Sequence, residues 1–388
     1  MFRMKRYVII TMLLFVQLNL FSVTFDADYQ DPVCSTFFNF YSHNKLSTTI
    51  AGRGYTGVAL TGDISTAVIN PASIDFQKAQ IYFEYGYKNG IEWLQEYFLG
   101  AMLTKYKSGM IYAFGYRISD YFQAGLIYKQ DYSYEGDYGE FYITDYYGNV
   151  IATYDYYEKV TISSISAPFS YNFNNYLLFG IDLNFNIYHS VNPEIFTGSG
   201  INVIKGEVDF VLFRPKFGII IKPFNYVNFG LTYLPTTNKQ IKKKVKWGEI
   251  KYEENTFPLE LRVGTAIDLE KIPMKLLFEY YHSQNSEETI LVNRNDFHFG
   301  IEYDLLNNLT IRSGFFTQFD YRDMSLEGFE GEDYWLDTSS YDQNFLTLGT
   351  SYKWKKSTVS LAILDSHLLT EGNIEQTYIK ISYKLDIE

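Results

Sequence analysis

The residues of this sequence that could do chemistry are few and widely separated. Asp365, Ser366 and His367 are adjacent, but neighbours on a strand point to opposite faces, so they do not form a converging triad. A single cysteine, Cys34, excludes an intrachain disulfide and a cysteine-based metal site. No zinc-binding spacing, G-x-S-x-G elbow, Walker A loop or dinucleotide fingerprint is present. The sequence therefore predicts a protein that is not an enzyme and has no catalytic residue, cofactor or metal. The histidines are His43, His189, His282, His298 and His367.

The most distinctive segment is residues 51–74, which reads AGRGYTGVALTGDISTAVINPASI. Its glycines permit tight turns, and Asn70 before Pro71 favours a turn or an extended conformation. Small side chains such as Ala67 and Ala72 let one backbone approach another closely. Such a segment suits a compact plug. An ordinary glycine-rich loop that ends in an Asn-Pro turn is the alternative, because it would have a similar sequence.

The elements that must hold this segment are strands rich in aromatic residues. Aromatic residues make up 19% of the 388 residues, with 37 Tyr and 32 Phe, which favour strands and the membrane-surface girdles of barrels. The mean hydropathy is only -0.16, which fits a barrel with a polar lumen better than a bundle of membrane helices. A net charge of -12 argues against a nucleic-acid partner.

From residue 77 onward, segments of about ten residues alternate apolar and polar side chains, the length of a tilted membrane strand. Phe297, Phe299 and Ile301, for example, alternate with His298 and Gly300. Short turns alternate with long polar segments, as on the two sides of an outer-membrane barrel. The turns are expected at 172–175, 222–225, 270–273, 307–308 and 355–356, and the polar loops at 132–157, 190–206, 236–256, 283–295, 319–344 and 366–376.

Fifteen segments have the alternation of a strand. Bacterial single-chain barrels normally have an even number of strands, so one candidate is expected outside the wall. We favour 121–131 as part of an external hairpin, with 79–88 as part of the plug as the alternative, and expect fourteen strands either way. The candidates are 79–88, 97–106, 109–118, 121–131, 158–171, 176–189, 208–222, 226–235, 257–269, 273–282, 296–305, 308–318, 345–354, 357–365 and 377–386.

The N-terminus is typical of a secretory signal. Arg3, Lys5 and Arg6 precede an apolar run at residues 7–21, which is short for a membrane-spanning helix. We expect a signal peptide at 1–22, with an uncleaved anchor as the alternative. Residues 23–76 lack strand periodicity but contain many apolar side chains, so we expect this segment to be buried as a plug in the lumen of a barrel formed by 77–388.

The 51–74 segment resembles the N-terminal signature of FadL-like and PorV/PorQ-like outer-membrane proteins, which runs approximately G-A-R-x-x-G-M-G-x-A, then D-x-S, then N-P-A-G-L. Ser73 and Ile74 depart from the Gly-Leu that usually follows. The spacing of Arg53, Asp63 and Asn70 favours the resemblance over an ordinary loop. The matching residues, expected to form the plug motif, are Arg53, Gly57, Asp63, Ser65, Asn70, Pro71 and Ala72.

The sequence thus predicts an all-β protein, a single transmembrane antiparallel barrel of about fourteen strands, in the cell outer membrane and in contact with its lipids. The resemblance implies that hydrophobic small molecules enter from outside, pass the plug and leave through the lumen or a lateral opening. It also leaves open a PorV-like surface protein that binds secretion-system partners. A structural or porin-like protein is the third possibility.

Overall fold

The computed structural model describes residues 47–89, 109–144, 150–174, 176–196, 202–244, 250–269, 271–284, 293–319, 342–369 and 377–387. The predicted signal peptide, Cys34, His43 and the strand candidate 97–106 lie outside these ranges.

The described residues form sixteen β-strands. The strands are β1 (Ala79–Asn89), β2 (Met110–Arg117), β3 (Phe122–Thr144), β4 (Val150–Asn172), β5 (Leu177–Phe196), β6 (Asn202–Phe224), β7 (Val227–Leu234), β8 (Thr237–Lys244), β9 (Ile250–Phe257), β10 (Leu259–Leu269), β11 (Met274–Gln284), β12 (Arg294–Leu306), β13 (Leu309–Gln318), β14 (Gln343–Trp354), β15 (Ser357–Asp365) and β16 (Thr377–Ile387).

Fourteen of these strands form a closed antiparallel barrel, as the sequence predicts. Strands β1 to β7 pair in sequence order, β7 pairs with β10, and β10 to β16 again pair in order. Strand β1 then pairs with β16 in a register that places Ala79 opposite Ile387, which closes the ring. The remaining two strands, β8 and β9, form a hairpin that is attached beside β6.

Both expectations for the strand candidate that lies outside the wall, 121–131 and alternatively 79–88, were wrong. Segment 121–131 is part of β3, which pairs with β2 and β4. Segment 79–88 is part of β1, the strand that closes the ring. We had expected one of these two segments to lie elsewhere, because barrels normally have an even number of strands. Both segments instead pair with their neighbours as wall strands do.

The predicted turns are confirmed at the short connections, but three of the predicted loops are largely strand. β3 and β4 continue as a hairpin to Thr144 and Val150, β5 and β6 continue to Phe196 and Asn202, and 237–257 contains the β8–β9 hairpin. Beyond a membrane both faces of a hairpin meet water, so polar composition does not separate strand from loop. The backbone N–H and C=O groups still pair across the hairpin, and this extends the sheet.

The outer face of the wall carries the apolar side chains of the alternating pattern. On β15, for example, Val359, Leu361 and Ile363 point outward and are exposed, whereas Ala362 and Leu364 point inward and are buried. A continuous exposed apolar surface of this extent is stable only against lipid. Aromatic side chains mark the short-turn end of the wall, where a membrane girdle is expected. They include Tyr121, Phe173, Tyr176, Phe224, Tyr226 and Trp354.

Residues 47–76, called the plug from here on, fill the lumen at the level of the wall near its short-turn end. The plug contains one helical turn, α1 (Thr48–Ala51), and two 3₁₀ turns, η1 (Ile64–Val68) and η2 (Pro71–Ser73). A parallel bridge between Gly62 and Ile74 closes its second half into a loop. Among the described residues no helix is long and apolar enough to cross a membrane.

A set of inward-facing glycines lets the backbone of the plug approach the wall. A Cβ atom at Gly180 would overlap Pro71 and Ala72, and one at Gly230 would overlap Val58. Nine wall strands carry such a glycine opposite the backbone or a side chain of the plug, so most of the circumference is shaped to the plug. These wall glycines are Gly115, Gly125, Gly180, Gly218, Gly230, Gly264, Gly300, Gly314 and Gly349.

Replacing one wall glycine should displace the plug and leave the barrel folded. We expect Gly180→Val to push Pro71 and Ala72 away from β5, because an overpacked site costs about 1–3 kcal/mol. Planar-bilayer recordings should then show a higher ion conductance than for the wild type. The matched control is Ala167→Val on the outward-facing side of β4. Heat-modifiable gel migration checks that each barrel is folded, and equal conductance of the two variants would contradict the prediction.

Candidate functional site

The candidate site is the contact between the plug and the inner wall, because the residues of the sequence motif meet buried charges of the strands there. The first anchor is Glu84 on β1. Its Oε2 atom accepts hydrogen bonds from Thr48 N at 2.6 Å and Thr48 Oγ1 at 2.8 Å, at the beginning of α1. Lys380 on β16 lies 3.1 Å from the other carboxylate oxygen, and Tyr82 donates to Glu84 at 2.5 Å. A buried carboxylate thus satisfies the Thr48 N–H group, which has no partner inside the helix.

The second anchor is Glu279 on β11. Its Oε2 atom accepts from Gly57 N at 3.0 Å and from Val58 N at 3.1 Å, while its Oε1 atom lies 2.8 Å from Arg262 Nη1. Just before these amides, Gly54 and Tyr55 have the positive φ angles 69° and 56°. The resulting bend directs successive N–H groups toward one carboxylate, which is the geometry of an anion-binding nest.

The third anchor is Glu302 on β12, which binds Arg53 of the plug. The Glu302 carboxylate lies 3.1 Å from Arg53 Nη1 and 2.6 Å from Arg312 Nε on β13. Arg53 also donates to the carbonyl oxygen of Thr56 at 2.8 Å. Burial lowers the pKa of Arg53 and Glu302 opposes that shift, but the guanidinium remains charged at any physiological pH. The plug cation and its wall partner therefore form a buried ion pair.

Asp63 and Ser65 organise the middle of the plug. Asp63 precedes η1 and accepts hydrogen bonds from the backbone N–H of Ser65 at 3.0 Å and its hydroxyl at 2.5 Å. Lys384 on β16 lies 3.4 Å from the other carboxylate oxygen. Burial alone would raise the pKa of Asp63, but Lys384 and the Ser65 hydrogen bonds outweigh it and hold that pKa below its ordinary value. Asp63 is therefore ionised at neutral pH and joins the plug to the closing strand.

Asn70 connects both halves of the plug to the wall. Its amide Nδ2 donates to the carbonyl oxygen of Val58 at 2.6 Å and to that of Ile219 on β6 at 3.3 Å. Its Oδ1 accepts from Ala72 N at 3.0 Å, which caps η2 and fixes the turn that the sequence predicts at this residue. Pro71 is the first residue of η2, where its missing N–H is harmless. All seven motif residues thus lie in the plug.

The plug also meets the wall through apolar packing and through hydrogen bonds to its backbone carbonyl groups. Buried apolar residues of the plug, including Ile50 and Tyr55, pack with inward residues of β1, β2 and β13–β16. On the opposite side, Lys216 on β6 donates to the carbonyl oxygen of Val68 at 2.7 Å, and Thr232 on β7 donates to that of Ile69 at 3.1 Å. Backbone carbonyl groups of the plug therefore bond to β6 and β7, and the largest apolar cluster of the plug lies against β1, β2 and β13–β16.

Sequence reasoning missed the wall partners of the plug. The alternation placed Gly230, Gly264 and Gly300 on the polar side of their strands but gave that side no role. A recurrent Phe-Gly pair near the middle of strands was a signal for them, with Phe facing lipid and Gly facing the plug. It occurs at 114–115, 179–180, 217–218, 229–230 and 299–300.

The anchoring carboxylates had no such local signal. Glu84, Glu279 and Glu302 read as ordinary polar positions of alternating strands, because their partners are far away in sequence. Across the described ranges, no group of three or more His, Cys, Asp or Glu residues could hold a metal ion.

No family model matches the sequence, and no curated protein matches it. Solved structures do resemble this barrel in three dimensions. A FadL homologue from Pseudomonas aeruginosa has a TM-score of 0.63 at 12% identity, over 88% of this chain and 98% of that chain. The toluene transporter TbuX of Ralstonia pickettii has a TM-score of 0.59 at 14% identity, over 90% of this chain and 100% of that chain. The toluene transporter TodX of Pseudomonas putida has a TM-score of 0.57 at 14% identity, over 87% and 97%.

At these identities the likeness establishes a shared fold along nearly the whole chain. The fold therefore agrees with the FadL-like part of the motif resemblance. The PorV/PorQ-like part, and the role of the motif residues, stay predictions.

Removing the Asn70 side chain should loosen the plug. In Asn70→Ala the carbonyl oxygens of Val58 and Ile219 and the N–H of Ala72 lose their partner. We expect the free energy of unfolding to fall by about 2–3 kcal/mol, since each such bond contributes about 1 kcal/mol. Urea titration in phospholipid vesicles measures it. The control is Asn174→Ala, where the exposed side chain accepts one bond in a short turn, and equal losses in the two variants would show that Asn70 has no special role.

Proposed function

We propose that this protein is an outer-membrane barrel through which hydrophobic small molecules pass. The observation that carries the proposal is the plug held across a closed lumen, with an apolar and aromatic side where it meets β1, β2 and β13–β16. A plug that is bonded to the wall all round excludes free diffusion of polar solutes. This apolar cluster allows favourable contacts with a hydrophobic molecule, whereas a polar solute such as a sugar would lose its hydrogen bonds to water there.

The likeness to solved transporters supports the same proposal. The structures that share this fold are named as toluene transporters and a monoaromatic hydrocarbon channel. The described strands and plug contain no element that couples to an energy source, so we propose that movement is diffusive. Solutes would enter from the side of the long hairpins, and the mature termini would lie on the periplasmic side with the short turns.

The exit route would be the lumen beside the plug or a lateral opening in the wall. A lateral opening is supported by the pairing of β3 with β4, whose register shifts between Gln130 and Tyr132. A bulge of this kind leaves a residue unpaired and locally disrupts the ladder. We therefore place the lateral exit at this part of β3.

A second candidate is a PorV-like surface protein that holds secretion-system partners. It is favoured by the β3–β4 and β5–β6 hairpins, whose strands of 20 to 23 residues far exceed the ~9–11 that a membrane crossing needs. Genes for type IX secretion components beside the gene of this protein would favour this role. A general porin is less well supported, because the lumen contains the plug.

Proteoliposome transport tests the proposed function. We expect the wild-type barrel to speed the entry of radiolabelled toluene into vesicles and to exclude arabinose in a swelling assay. Deletion of residues 48–70 should admit arabinose, because the anchors from Thr48 to Asn70 are removed while every wall strand remains. The Asn174→Ala barrel is the control for reconstitution. Arabinose entry through the wild type, or toluene entry no faster than in empty vesicles, would overturn the proposal.

A further inference from the structure

Just beyond the plug, on the side away from the short turns, β12, β13 and β14 carry a row of stacked rings. His298 pairs with Phe316, and Phe316 pairs with Phe345, in the strand registers. The ring centroids of His298 and Phe316 are 5.7 Å apart with planes 12° from parallel, and those of Phe316 and Phe345 are 4.6 Å apart at 6°. Tyr55 of the plug meets Phe316 edge-on at 4.7 Å. The row therefore lies inside the barrel at the edge of the plug, where the rings of Phe316 and Phe345 are fully buried.

The next inward layer, two residues further from the short turns, is polar. It contains Asp296 on β12 and Gln343 on β14, which lies opposite Gln318 of β13. Asp296 is used structurally, because it pairs with Arg294 at 2.5 Å and accepts from Phe319 N at 3.0 Å. Gln343 is only 1% exposed.

In the part of the chain that the structure describes, His298 and Gln343 contribute polar atoms to these two layers that have no hydrogen-bond partner. They are the Nε2 atom of His298 and both amide atoms of Gln343, and all three are shielded from solvent. Buried polar groups in folded proteins are normally hydrogen-bonded, so an unpaired set beside an aromatic surface points to a ligand that supplies the missing groups. These atoms are also free of any role in anchoring the plug.

The hydrogen bond on the other ring nitrogen of His298 determines what the ligand must offer. The Nδ1 atom lies 3.0 Å from the carbonyl oxygen of Gly54, which can only accept, so Nδ1 carries the proton. In the neutral imidazole the Nε2 atom is then an acceptor. The ligand must therefore bring a donor to His298, while Gln343 can both donate and accept.

We propose that His298, Phe316, Phe345 and Gln343 form a binding site for an aromatic compound that carries a hydroxyl group, such as a phenol. The ring would pack against the aromatic row, the hydroxyl hydrogen would be donated to His298 Nε2, and the Gln343 amide would donate to the hydroxyl oxygen. A pure hydrocarbon would leave these polar atoms unsatisfied, and sites built for a hydroxyl discriminate against ligands that lack it. This inference rests on the proposed passage of hydrophobic small molecules and specifies which of them the site selects.

The test compares p-cresol with p-xylene, which have nearly the same shape and differ in one hydroxyl for one methyl. Binding to the full-length protein in lipid nanodiscs is measured by titration calorimetry, with empty nanodiscs subtracted. We expect p-cresol to bind roughly tenfold more tightly than p-xylene. In His298→Leu and Gln343→Leu the affinity for p-cresol should fall toward that for p-xylene, and the affinity for p-xylene should not fall. The matched control is His282→Leu on the outward side of β11, which should keep the wild-type preference.

Each outcome decides the proposal. Equal affinity of the wild type for both compounds would overturn it while leaving hydrophobic passage intact, and so would an unchanged preference in both inward variants. Binding of neither compound would overturn it together with the proposed transport of small aromatic molecules. If His298→Leu fails to fold on heat-modifiable gels, the wild-type comparison and Gln343→Leu decide.

Discussion

The structure depends on three carboxylates that point into the barrel and bind the plug, each neutralised by a cation of the wall. Glu84 and Glu279 accept backbone N–H groups of the plug, and Glu302 pairs with Arg53. An unpaired buried carboxylate would be unstable, and so would the unpaired N–H groups of a plug without strands. The carboxylates and the plug N–H groups therefore stabilise each other, and the ion pairs with Lys380, Arg262 and Arg312 neutralise the carboxylates.

Close approach is the second requirement, because hydrogen bonds to the plug backbone form only when that backbone lies against the strands. The wall glycines provide the space on nine strands. The same inward surface that receives polar plug backbone on β6 and β7 presents rings on β13 and β14. A partition that is anchored by buried charges and bordered by an apolar, aromatic cluster selects solutes by polarity, which is the physical basis of the proposed passage.

Much of this architecture follows from local pattern. The strand alternation of β12 and β15 and the turns at 307–308 and 355–356 depend on neighbours in the chain, so the barrel could be predicted. The capping roles of Asp63 and Asn70 are equally local, because each bonds to a residue two positions away. Glu279, in contrast, contacts residues more than 200 positions away. The alternation of polar and apolar residues along a strand cannot predict such a distant partner. The extended hairpins were missed because polar strands in water lose the apolar alternation.

Hydrogen exchange of the plug amides in lipid nanodiscs, followed by mass spectrometry, tests most directly whether the plug is a fixed partition. If Glu84 and Glu279 hold it as described, the amides of Thr48, Gly57 and Val58 should exchange as slowly as those of the wall strands, over hours. Exchange of these amides within seconds, in a barrel whose strand amides remain protected, would contradict the account, because the plug would then leave its anchors while the wall stays closed.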